Sequence, residues 1–162
     1  MIHNSIKSQS GFTLVELVIV IVIVGVLSAY AVMRNSSPAT YALLSQAQTM
    51  ASDIRHVQSL ATTWGKSLRI TAVVGANGTY SVSCVASGAA PCNASPVINP
   101  ATGAAFSVAL QQGAVLSGPA TLDISSLGQP SASAIYSVNT GGPNMEVRVA
   151  ALTGFVTVIP PP

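Results

Sequence analysis

The sequence predicts an α+β fold: a long N-terminal hydrophobic helix, then an amphipathic helical stem packed on a small antiparallel β-sheet domain. Three observations predict it. An apolar run fills residues 12–33, and apolar residues then recur at three- and four-residue intervals as far as Trp64. From Ser67 onward, short runs of Val, Ile, Thr and aromatic residues alternate with Gly, Pro and Asn.

Composition bounds what such a chain can do. Of its 162 residues, 49% are hydrophobic and 6% charged, where soluble domains average ~25% charged. Six Lys/Arg against four Asp/Glu leave a formal net charge of +2. That is too few basic groups for affinity built on neutralising many phosphates, which argues against nucleic-acid binding. Two Cys and two His, far apart, cannot build a four-ligand zinc site within one chain, and no other metal or cofactor is expected. Low charge with high hydrophobicity also excludes a disordered polyelectrolyte.

The first element reads FTLVELVIVIVIVGVLSAYAVM from Phe12 to Met33, with Glu16 its single charge. At ~1.5 Å per residue this helix reaches about 33 Å, close to the ~30 Å of a bilayer's hydrocarbon core. Val and Ile dominate it, yet strands rarely exceed about ten residues, so its length predicts a membrane helix. Before it, MIHNSIKSQSG carries Lys7 and His3 and no acid. A secretory signal has its small-residue cleavage site after the apolar core, whereas Gly11 stands before it, so cleavage there keeps the anchor. Lys7 on one flank is matched by Arg34 on the other, and the N-terminal amine tips the orientation weakly towards the leader inside.

The segment Lys7-Ser-Gln-Ser-Gly11-Phe12-Thr13-Leu14-Val15-Glu16-Leu17, ahead of an unbroken apolar run, resembles the class III signal of type IV prepilins and pseudopilins. The resemblance implies cleavage between Gly11 and Phe12 by a prepilin peptidase on the cytoplasmic side, and N-methylation of Phe12. It also implies assembly of the apolar helices into the core of a helical filament, with other pilins and an inner-membrane assembly platform as partners. The chain would first be single-pass in the bacterial inner membrane with a periplasmic C-terminal domain. The divisions that follow are a leader at 1–11, a membrane and filament-core helix at 12–34, a stem at 35–65 and a β-rich domain at 66–162.

Glu16 fits that implication. A carboxylate within hydrocarbon costs about 2.5–3.5 kcal/mol near a helix centre on insertion scales, so it marks function. Its natural partner in a filament is the Phe12 ammonium of a neighbouring subunit, which cancels two buried charges. The competing reading is an anion in the first helical turn, favoured by the dipole by about 0.3–1 kcal/mol. Gly25 is either a small-residue packing point or, by the resemblance, a spot where the helix loosens on assembly. Many pilins carry a Pro near the position of Met33; the first Pro here is Pro38.

In the stem, Ser36 or Ser37 can cap a helix whose first turn suits Pro38. Leu43, Leu44, Ala47, Met50, Ala51, Ile54, Val57, Leu60, Ala61 and Trp64 line one face. Asp53, Arg55 and His56 fall mostly off it, His56 as a solvated residue of the helix face, and Gly65 reads as the C-cap. Leu68–Val74 and Thr79–Val85 flank Gly75-Ala-Asn77-Gly78 and predict a hairpin. Further strands are expected at Phe106–Leu110, Ala114–Leu116, Leu122–Ile124 and Ile135–Val138. Met145–Ala150 and Phe155–Ile159 form a closing hairpin, and Pro160-Pro161-Pro162 stops the last strand.

Cys84 and Cys92 enclose a short loop. Outside the cytoplasm a disulfide is the expected state; the alternative, a reactive thiol pair, lacks a flanking Lys, Arg or His to lower a thiol pKa. Major type IV pilins carry their disulfide late, whereas about seventy residues follow Cys92, a departure that points to a minor pilin or pseudopilin. Arg55-His56-Val57-Gln58-Ser59-Leu60-Ala61, the hairpin, the mid-domain Cys pair and Leu152-Thr153-Gly154-Phe155-Val156 are similar to the GspH/FimT-like group. Within it they most resemble the minor pilins of mannose-sensitive haemagglutinin (MSHA)-type pili.

The expected function is therefore structural: a minor pilin used in filament assembly, with no catalytic residues. A minor pseudopilin of type II secretion is the nearest alternative. A FimT-like DNA-binding minor pilin would need a basic C-terminal segment, and only Arg148 stands in the last ninety residues, beside Glu146. A hydrolase would have to join Ser125 and Asp123 to His56 on the stem, without a Gly-x-Ser-x-Gly elbow.

Overall fold

The computed structural model describes residues 13–33, 38–142 and 144–161, with side chains for 13–28, 40–142 and 144–161. The leader, Gly11, Phe12, Arg34 and the Ser36/Ser37 cap lie outside the described residues. The chain divides into two compact units, Met1–Ser37 and Pro38–Pro162.

The first unit holds α1, Leu14–Met33. Thr13 starts it: the Glu16 N–H donates to Thr13 Oγ1 at 3.2 Å, the side-chain half of an N-cap. The helix passes Gly25 unbroken, and the Ser28 hydroxyl bonds back to the Val24 carbonyl at 2.7 Å. Among the described residues no helix is long and apolar enough to cross a membrane. The part of α1 with described side chains, 14–28, covers roughly 22 Å at ~1.5 Å per residue, short of a ~30 Å core.

The second unit opens with α2, Pro38–Trp64. Its end is a Schellman cap: Lys66 N–H donates to the Ala61 carbonyl and Gly65 N–H to the Thr62 carbonyl, with Gly65 at φ 61°, a conformation that suits a residue without Cβ. Among the described residues nine strands follow: β1 Leu68–Val73, β2 Gly75–Ala76, β3 Thr79–Cys84, β4 Ser107–Ala109, β5 Val115–Ser117, β6 Thr121–Ile124, β7 Ala134–Asn139, β8 Asn144–Val149 and β9 Val156–Ile159. They form two antiparallel sheets, ordered β4-β3-β1-β6 and β2-β5-β7-β8-β9.

The expected first hairpin is present, Leu68 pairing with Cys84 and Val73 with Thr79. Its connection does more than turn, because Gly75–Ala76 leaves to pair with β5. One ribbon thereby joins both sheets. Gly78 cannot carry a side chain there, since a Cβ would collide with that of Leu116. The closing hairpin pairs β8 with β9, Val149 opposite Val156.

The strands alternate as a half-buried sheet requires. In β1, Leu68, Ile70 and Ala72 face in; in β8, Met145, Val147 and Val149 do. Against them α2 presents Leu43, Ala47, Met50, Ala51, Ile54, Val57, Leu60 and Ala61, all buried, with Leu44 and Trp64 partly so. Deleting one of the larger of these side chains costs about 2–5 kcal/mol, because the cavity adds to the lost transfer energy. The expectation of a solvated His56 fails: its ring lies 5.9 Å from that of Phe106 and Nε2 is buried without a partner. The long excursion between β3 and β4 returns Phe106 to the helix flank, which the sequence of α2 alone does not register.

Candidate functional site

The candidate site begins at the front of α1. Glu16 is exposed in the first turn, and among the described residues no cation pairs with its carboxylate. The side chains behind it are exposed too: Leu14 is 79% accessible, Leu17 61% and Val26 65%. A helix apolar all round is stable only when something apolar surrounds it, so α1 presents a surface built for covering, with one acid at its entrance. Thr13, which the resemblance places only within the motif, starts α1. Thr13-Leu14-Val15-Glu16 has the S/T-x-x-E spacing of a capping box, and the structure makes the Thr13 half of it.

In the globular unit the Ser, His and Asp side chains that a hydrolase would need are engaged elsewhere. Asp123 is held by a bidentate pair with Arg69, at 2.6 and 2.7 Å. That hydrogen bond, with the Arg69 charge and against some burial, keeps the Asp123 carboxyl below the usual carboxylate range. Ser125 Oγ accepts the Leu127 and Gln129 amides inside a turn. His56 packs on Phe106, so Ser125, Asp123 and His56 form no relay. Among the described residues no three His, Cys, Asp or Glu side chains gather as a metal site.

Cys84 and Cys92 do meet, as a disulfide with Cα atoms 5.5 Å apart. Around it, Gly88 N–H donates to the Cys92 carbonyl and Cys92 N–H to the Ala89 carbonyl. The bridge ties the start of the 85–106 excursion to the end of β3.

With this geometry in hand, residues 6–32 match the model of the prokaryotic N-terminal methylation motif. The globular architecture is similar to that of the minor pseudopilin EpsH from the type 2 secretion system of Vibrio cholerae. That likeness has a TM-score of 0.53 at 13% identity, over 73% of this chain and 96% of that one. It is likewise similar to the type IV minor pilin FimU of Pseudomonas aeruginosa, at TM-score 0.57 and 13% identity over 73% and 88% of the chains. The chain carries the methylation motif, and its fold is like those of these two proteins. Motif and fold together agree with the resemblance to type IV prepilins and pseudopilins. No match was found among curated proteins.

Proposed function

We propose that the chain is a minor pilin, MSHA-like, that enters a type IV-like filament through its N-terminal helix and performs no chemistry of its own. One observation carries this reading: Glu16 stands uncovered in the first turn of an apolar helix, directly inside the matched methylation motif. In this reading residues 1–11 are the leader, 12–34 the membrane and filament-core helix, 35–65 the stem and 66–162 the periplasmic head. Prepilin peptidase cuts between Gly11 and Phe12, the new amine is methylated, and that ammonium on one subunit neutralises Glu16 on the next. The apolar run of residues 12–33 in the sequence, with Glu16 its single charge, supports a bilayer origin before transfer to the filament.

A minor pseudopilin of type II secretion is the second reading, and the likeness to EpsH supports it. DNA binding has less to recommend it, because Arg69 and Arg148 are both engaged by acids of the chain. Mass spectrometry of the mature N-terminus tests the proposal: methylated Phe12 is expected, and an intact Met1 would refute processing.

A further inference from the structure

We infer that the groove between α2 and the edge strand β9 binds an extended, carboxylate-bearing segment of another protein, which adds to the sheet at Val158 and meets Arg55. This goes beyond the filament proposal and does not depend on it. The groove, of about 440 Å³, is walled by Gln48, Ala51 and Arg55 of α2 and by 155–158. β9 is the last strand of its sheet, so one side of its backbone faces off the ladder. The phase is fixed by two bonds. The Phe155 carbonyl accepts from Ala150 N–H, towards β8, while the Val156 carbonyl accepts from Arg55 at 2.7 Å, away from it. With a period of two, Val158 points its N–H and carbonyl the same way as Val156. Natural edges are blunted by charges and prolines. Here Arg55 covers Val156 and Pro160 follows the strand, and Val158 lies between them.

Charge accounting names the occupant. Each Asp and Glu side chain of the Pro38–Pro162 unit is already committed within the chain: Asp53 to Tyr80, Asp123 to Arg69 and Glu146 to Arg148. Arg55 is exposed and, among the described residues, gives one hydrogen bond to a neutral carbonyl and meets no carboxylate. A guanidinium has five donors and favours carboxylate. A second copy's globular unit has no uncommitted Asp or Glu to offer, and its Glu16 stands in a helical turn and not on an extended segment, so the complement is a different chain. Exposed Phe155, 68% accessible, adds an apolar wall for a neighbouring side chain of the strand. Main-chain bonds then supply affinity and Arg55 selects.

The test uses the full chain in detergent micelles with two labelled peptides, acetyl-Thr-Val-Glu-Val-Thr-Val-amide and its Gln counterpart, read by fluorescence anisotropy. The Glu peptide should bind about fivefold more tightly, the upper range of an exposed pair. Arg55→Gln should abolish that preference and Arg55→Lys retain part of it. Hydrogen exchange at the Val158 amide should slow when the Glu peptide is present. Failure of both peptides to bind, equal affinities, an unchanged preference in Arg55→Gln, or unaltered exchange at Val158 would each overturn the inference.

Discussion

The Tyr80 hydroxyl donates to Asp53 Oδ2 at 2.6 Å, tying the middle of α2 to β3 across the core. Tyr80 is 3% exposed, and burial, reinforced by the hydrogen bond and charge of Asp53, raises its pKa far above that of a free tyrosine. The two ends of this bond are unequal. Tyr80→Phe removes the donor and leaves Asp53, only partly buried, able to take up water. Asp53→Ala leaves a hydroxyl sealed in the core. A net hydrogen bond to a charged group is worth about 1.5–3 kcal/mol, and an orphaned buried donor adds its own desolvation cost. Urea denaturation should therefore find Asp53→Ala more destabilising than Tyr80→Phe. The reverse order would mean that the hydroxyl finds another partner.

Tyr136 presents the opposite case. It is fully buried and its hydroxyl has no partner, so burial pushes its pKa up to about 12 from 10.0. Tyr136→Phe should raise stability by about 1 kcal/mol, since the unmet desolvation cost disappears with the hydroxyl. The alkaline limb should change as well. A folded-state pKa above the unfolded value stabilises the fold below pH ~10, and that contribution drains away as pH climbs from about 10 to 12. Denaturation midpoints of wild type should fall over that window, and those of Tyr136→Phe should fall less.

The Arg69–Asp123 pair acts at the acid end. Because the Asp123 pKa is lowered in the fold, its contribution is present above the ordinary carboxylate range and is lost as pH falls through the depressed value. Asp123→Asn should flatten the loss of stability as pH falls below the ordinary carboxylate range. Added salt should shrink the difference between variant and wild type, because Arg69 and Asp123 are 41% and 35% exposed. An acid limb unaltered by Asp123→Asn would assign it to other groups.

The disulfide closes a short loop, Cys84 to Cys92, eight positions apart. In the chain-entropy model such a closure stabilises by about 2–3 kcal/mol. Reduction, or Cys84→Ser with Cys92→Ser, should cost that much at equilibrium. Its local mark should be faster amide exchange at Cys92 and Gly88, whose bonds lie within the loop.

Much of the architecture was legible because it rests on local periodicity. The stem was expected to end before Gly65 and does; the six-residue strands β1, β3, β7 and β8 fall within one or two residues of their predicted spans. What escaped was long-range. Gly75–Ala76 looks like part of a turn, and only its pairing with Val115–Leu116 makes it a strand. Val97 is wholly buried and its neighbour Ile98 47% exposed, a pair among Asn, Ser and Pro too short for any period to tell the inward residue from the outward one. His56 is half-buried against Phe106, some fifty positions away. At the candidate site the methylation motif was readable in sequence, while the Thr13 cap was present as a spacing and needed the bond to be noticed.

That cap separates the two readings of Glu16. If Glu16 serves only the first turn of α1, its value lies in the helix dipole, about 0.3–1 kcal/mol, and Thr13→Ala should be at least as harmful, since losing an N-cap costs about 1 kcal/mol. If Glu16 instead neutralises an ammonium on the next subunit, charge matters far more than helix start. Glu16→Gln keeps the backbone N–H that bonds to Thr13 Oγ1 and nearly the same shape, and removes only the charge. Immunoblots of sheared filaments and membranes should then find Thr13→Ala in filaments near the wild-type level and Glu16→Gln retained in the membrane. Equal incorporation of both variants would reduce Glu16 to a helix-start residue and take away the observation on which the assembly role rests.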